Sequence, residues 1–224
     1  MKPTAIVKII IDCGMTILLT LLMAFELIGR TAHEWIGIGM FILFVAHHIL
    51  NGKWINHISR QKYTSFRILQ TVLAGLVLLT MLGSMISSVL ISREVFVFLP
   101  VHSGRAFGRI LHMICAYWGF VFMALHLGIH WNTMMRFAGR ICRKPSRARR
   151  ILLRVIGACI AVYGMYAFVR RGFSEYMFLR TQFVFFDFNE PLIYFFLDYL
   201  AIMGLFIWVG YFLTKTVQIQ KHRL

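Results

Sequence analysis

Residues 33–48 read HEWIGIGMFILFVAHH: a histidine opens an apolar run and two histidines close it. The run between them is long and almost without charge, which suits a helix that crosses a lipid bilayer. Imidazoles at the two ends of such a helix need a reason, because polar side chains inside a membrane must find a partner or a task. The wider composition supports the membrane setting. Of the 224 residues, 59% are hydrophobic and only 14% charged, far from the balance of a water-soluble domain.

Six apolar segments are each long enough, at about 20 residues, to span the hydrocarbon core as helices. They fall near 8–28, 32–52, 67–91, 107–131, 150–169 and 191–214. The fold class expected is therefore all-α integral membrane. The first segment follows Lys2 and Lys8, as a signal peptide would. It is too long for one, and no small-residue cleavage site precedes Phe25, so it is read as a helix. The cysteines Cys13, Cys115, Cys142 and Cys159 form no CxxC or CxxCH. Neither a thiolate metal site nor covalently attached haem is indicated, and they read as small hydrophobes.

The net charge of +16 invites a nucleic-acid reading, but its distribution follows the membrane instead. With the N-terminus inside, seventeen Lys and Arg fall on the cytoplasmic side of six spans and seven on the other. The positive-inside rule thus puts both termini in the cytoplasm. The run RKPSRARR (143–150) reads as a topology determinant beside anionic lipid heads, with no nucleic-acid partner.

Nine histidines are present, and six of them sit in spans two and four only. His33 and His47 are fourteen residues apart; His112 and His126 are fourteen apart as well. Fourteen steps of 100° come about 40° short of four turns, so both members of a pair share one face, about 21 Å apart along the axis. Spans two and four run in the same direction, which sets His33 level with His112 and His47 level with His126. Two neutral imidazoles facing one point are what axial ligation of a haem iron requires. Two stacked levels imply two haems in a four-helix bundle of spans one to four, followed by two further C-terminal helices.

The neighbouring residues fit that arrangement. Gly37 and Gly119 lie on the ligand faces, where a small residue lets a flat macrocycle approach. Thr31 with Glu34 reads as a capping box that starts span two. Arg105 and Arg109 on one side, and Lys53, Trp54, His130 and Trp131 on the other, are candidates for haem propionates or for interfacial anchoring. His48 is an alternative to His47 as ligand, or a neighbour that hydrogen-bonds a propionate or a carbonyl. His130 shares the face of His112 but lies about 27 Å away, and ranks below His126.

The stretches HEWIG (33–37), HHILNGKW (47–54) and GRILHMICAYWGFVFMALHLGIHW (108–131) resemble the flavinylation-associated cytochrome family of small bacterial membrane proteins. In its duplicated interval the chain is also similar to the cytochrome b of quinol-oxidising complexes. The resemblance covers about residues 5–131, and suggests a haem-binding domain there, with 132–224 adding a basic cytoplasmic loop and two helices. It implies two haem b held by His33, His47, His112 and His126 in a bacterial cytoplasmic membrane. It further implies a quinone or quinol donor, and an extracytoplasmic redox partner such as an FMN-bearing protein. The chain would then be an electron-transfer subunit or quinol-oxidising component rather than a stand-alone enzyme.

Rival readings make different demands. A transporter or proton channel with a histidine relay needs acidic partners deep in the helices; only Asp12, Glu26 and Asp198 approach that, none on the histidine-bearing spans. A ferric-reductase-type enzyme needs a nicotinamide domain, and no glycine-rich dinucleotide fingerprint is present. A scaffold without cofactor leaves the repeated interval unexplained. The aromatic connection EYMFLRTQFVFFDFN (175–189) suits an interfacial helix, a cover over the outer haem, or a surface for a quinone ring.

Overall fold

Long apolar runs with few breakers can satisfy their backbone polar groups inside a bilayer only as helices, and helices account for nearly all of the chain. A computed structural model describes residues 3–56, 64–100, 103–141, 146–184, 186–187 and 189–221. Eight helices follow one another among these: α1 Pro3–Leu22, α2 Phe25–Asn56, α3 Ser65–Ile91, α4 Arg105–Ile129, α5 Trp131–Ile141, α6 Arg147–Arg170, α7 Phe173–Met177 and α8 Leu192–Lys221. Six of them, α1, α2, α3, α4, α6 and α8, are long and apolar enough to cross a membrane. The protein is an all-α, multi-pass membrane protein.

Local chemistry explains most of the boundaries. Thr64 caps α3 by accepting from the Arg67 amide at 3.3 Å, and Ser146 caps α6 in the same way from Arg149. Glycines with left-handed φ, Gly104 and Gly172, precede α4 and α7. Within the α2 range Gly29 takes the non-helical φ 74 and ψ 168, which breaks a short helical piece beginning at Phe25 from the long piece that follows, close to where the second span is expected to start. The expected capping box is replaced by a tertiary contact. Both oxygens of Glu34 receive bonds from the segment after α3: the Ser92 hydroxyl at 2.6 Å and the amides of Arg93, Glu94 and Val95 at 3.0–3.1 Å.

Packing follows the small residues. The backbones of α4 and α8 meet where a Cβ on Gly128 would run into the Ile207 carbonyl and one on Gly210 into the Leu125 carbonyl. The pair α6 and α8 cross in the same way at Gly164, against Ala201. In lipid, where no hydrophobic force draws helices together, such close approach gains dispersion contact. A single core contains Met15, Leu19, Met40, Phe44, Phe120 and Ile202, so the first four spans and the C-terminal pair share one interior. The α1 and α2 backbones pack on each other and only marginally on α3 and α8, while α4 packs on α3 and α8. The expected four-helix bundle of spans one to four is therefore not the packing unit: the C-terminal α8 takes the place beside α4 that the α1–α2 pair was expected to fill.

Candidate functional site

The fourteen-residue interval does bring histidines of different helices together. At the first level, the rings of His33 (α2) and His112 (α4) lie 6.0 Å apart, centre to centre, at 71°. Phe25 packs edge-on against His33 at 5.1 Å. Edge-to-face packing alone accounts for a separation of this size; the hydrogen bonds of His112 say more. Its Nδ1 lies 3.1 Å from Ser87 Oγ, 3.2 Å from the Ser84 carbonyl and 3.4 Å from Ser88 Oγ. Both serine hydroxyls already donate to the Ser84 carbonyl, at 2.9 and 2.7 Å. Their protons are committed, so Nδ1 of His112 is the donor and Nε2 keeps its lone pair. The buried Nδ1 of His33 has no hydrogen-bond partner.

At the second level the constellation is larger. His47 Nδ1 sits 2.7 Å from Asp12 Oδ1, reaching from α2 to α1. A carboxylate accepts, so in this contact Nδ1 of His47 donates, and its Nε2 lies 3.4 Å from the Asn51 side-chain amide, positioned to accept from it. Asn51 donates to the His47 carbonyl at 2.9 Å and accepts from Lys8 Nζ at 2.9 Å. On α4, the His126 and His130 rings lie 4.8 Å apart, and Nδ1 of His126 is buried without a partner. His48 takes a separate position. Its Nδ1 donates to the Phe44 carbonyl at 2.9 Å and its ring lies on Phe44, 4.2 Å between centres.

The remaining candidate residues divide between the site and the scaffold. Next to His33 on its helix face, Gly37 has nothing within 4 Å of where a Cβ would stand, leaving room beside the ligand face. Gly119 instead faces α3, where Thr80 Oγ1 would lie 3.3 Å from a Cβ; helix packing accounts for it. Arg109 is exposed on α4, and Arg105 lines a cleft of about 370 Å³ with Arg93, Phe96 and Leu99. His57, His102 and His222, the side chain of Trp54, Cys142 and residues 143–145 of the basic run lie outside the described residues. In the aromatic connection, α7 docks on α4 by burying Phe173, Tyr176 and Met177, and Trp118 Nε1 donates to the Met177 carbonyl at 3.0 Å. Its described residues anchor a helix to the bundle.

Sequence reasoning set Asp12 aside because it stands on a span without histidines. The signal lay in depth: α1 and α2 are antiparallel neighbours, so an acid nine residues into α1 comes level with the end of α2. Glu26, expected on the first span, falls instead in the first turn of α2, the element that carries His33 and His47. Asp198, the third of the deep acids, belongs to a different cluster. It is fully buried and receives Tyr163 Oη at 2.6 Å and Arg171 Nε at 2.7 Å. Glu190 receives Arg170 at 2.7 Å and lies 2.7 Å from Arg171. Burial works against the Arg171 charge, yet Glu190 and Asp198 hold its pKa above the ordinary arginine value.

The donor set can be tested against a haem. Metal–imidazole bonds of about 2.0 Å, with about 1.1 Å from nitrogen to ring centre, set two rings on one iron about 6.2 Å apart. The first-level pair stands at 6.0 Å. No group of three or more His, Cys, Asp or Glu that could hold a bare ion occurs among the described residues. A porphyrin supplies four nitrogens itself, so two imidazoles per level suffice. The His33–His112 pair matches that spacing, whereas among the described residues no ring contact joins His47 to His126, whose rings meet His48 and His130 instead. Comparison with family models, with curated proteins and with solved structures finds no match to this chain.

Proposed function

We propose that the protein is a b-type membrane cytochrome, with His33 and His112 as the ligand pair at one level and His47 and His126 at the other. The observation that carries this reading is the repeated interval, together with the 6.0 Å approach of His33 to a His112 whose Nδ1 is tied back by α3. An iron with two axial imidazoles has no open position, so a haem in such a site supplies one-electron transfer and not oxygen activation. The protein's own part is to fix the rings. Ser84 and Ser87 hold His112 through Nδ1, and Asp12 holds His47 through Nδ1, while Asn51 lies 3.4 Å from His47 Nε2 and would have to yield to a ligated iron there. The orientation proposed from the charge distribution has both termini in the cytoplasm of a bacterium, with the His33–His112 level outward. A membrane quinol is the proposed donor, and an external redox protein, flavin-bearing by the family resemblance, the acceptor.

The relay reading is favoured by one observation, the Asp12–His47 pair, since it supplies the acidic partner that such a pathway needs. A reduced-minus-oxidised absorbance spectrum, with haem quantified per chain, separates the two. Two low-spin haems per chain are expected from haem-replete cells. A colourless preparation sinks the cytochrome and leaves the relay.

A further inference from the structure

We infer that Asp12 is a positioning residue that makes the His47–His126 level the lower-potential one, so that electrons leave it toward the His33–His112 level. The inference rests on the cytochrome reading and adds to it the residue that sets the order of the two potentials. Its basis is an asymmetry between the ring anchors of the two levels. The Nδ1–H of His47 meets a carboxylate oxygen at 2.7 Å. The Nδ1–H of His112 meets only neutral acceptors, the Ser84 carbonyl and the Ser87 and Ser88 hydroxyls, at 3.1–3.4 Å.

A carboxylate on the far side of a ligating imidazole does two things. It fixes the tautomer and ring orientation, and it draws the Nδ1 proton toward itself so that Nε2 becomes the more basic donor. A more basic ligand beside a negative charge stabilises the more positive, oxidised metal, which lowers the reduction potential. The first level has a carboxylate nearby as well, on Glu34. Its oxygens are taken up by the Ser92 hydroxyl and the amides of residues 93–95, and neither serves as a ring anchor. Lys8, the cation nearest the second level by hydrogen bonding, is bound to Asn51 and leaves the Asp12–His47 contact direct.

Under the proposed orientation, electrons then run downhill from the cytoplasmic half to the outer half. Each transfer oxidises the iron at the second level and reduces that at the first. A quinol donor gives up two electrons and two protons over two such transfers, and the external oxidised acceptor takes the electrons.

The test is a spectroelectrochemical titration of the haem-loaded protein, with each haem assigned by its loss in His33→Ala or His47→Ala. The His47-level haem should have the lower midpoint in the unaltered protein. Asp12→Asn keeps an oxygen for Nδ1–H but removes the charge, and should favour reduction of that haem about tenfold, ~59 mV for a one-electron couple. The other haem should stay unmoved, and Asp12→Glu should return the midpoint toward its starting value. If Asp12→Asn sheds the second-level haem while Asp12→Glu keeps it, the positioning role is supported. Equal shifts at both haems, no shift with both haems retained, or loss of the haem in both variants overturns it. A two-haem protein with the potentials in the opposite order overturns this inference alone; a haem-free protein overturns the reading beneath it.

Discussion

The histidine rings are tied down by three different Nδ1 anchors, and His33 and His126 have none among the described residues. His112 leans on a serine-rich turn of α3, His47 on a carboxylate of α1, and His48 on the carbonyl one turn back in its own helix. Only the first two tie a ring to a neighbouring helix, which is why His47 is preferred to His48 as the second-level ligand. His126 and His130 are separated by depth and burial: His126 matches the interval and has an orphaned, buried Nδ1. Four alanine variants follow from this ranking. His33→Ala and His112→Ala should each reduce haem content from two per chain to one and remove the same spectral component. His126→Ala should remove the other component, and His130→Ala should retain both. Pyridine haemochrome quantification with difference spectra checks the set, and loss of the second-level component in His130→Ala with its retention in His126→Ala would reverse the assignment on α4.

At the scale of the element, helix period made the ligand faces legible, because residues fourteen apart share a face whatever surrounds them. Features that depend on a second helix were less visible. Gly119 lies on the ligand face by its angle, yet α3 occupies that side and Thr80 meets it. The Thr31 and Glu34 pattern reads as a capping box, but four donors from Ser92 to Val95 offer the carboxylate more than its own helix start does. The helix α5 follows directly on His130 in a stretch that composition marks only as a connection. The Glu34 contact stitches α2 to the α3–α4 connection at the first level. Glu34→Gln exchanges charge-assisted bonds for neutral ones and should cost about 1–3 kcal/mol. Thermal unfolding in detergent should show a lower midpoint, and an unchanged midpoint would mean that solvent replaces these bonds without loss.

The whole molecule combines two kinds of polar interior that composition alone does not distinguish. Histidines line α2 and α4 and meet at His33 and His112, whereas Asp198, Glu190, Arg170 and Arg171 neutralise one another at the junction of α6, α7 and α8. The six spans were legible from apolar length, and the charged junction was not, since Asp198 and Arg171 lie 27 residues apart across the turn. Removing one partner of such a buried cluster leaves charge uncompensated and typically costs about 3–5 kcal/mol. Asp198→Asn is therefore expected to lower the unfolding midpoint strongly while the folded fraction keeps the haem content of the parent protein. Loss of haem at temperatures where the variant is still folded would tie this junction to the site after all.

The hairpin of α1 and α2, whose backbones pack on each other far more than on the rest, sets an order of assembly. On the cytochrome reading, it can enter the bilayer as an independent pair, with Asp12 already holding His47, before α4 is synthesised. The His33–His112 contact forms only once α4 arrives, and if a haem bridges that pair, chains made under haem starvation should carry a hairpin that proteases can pry loose.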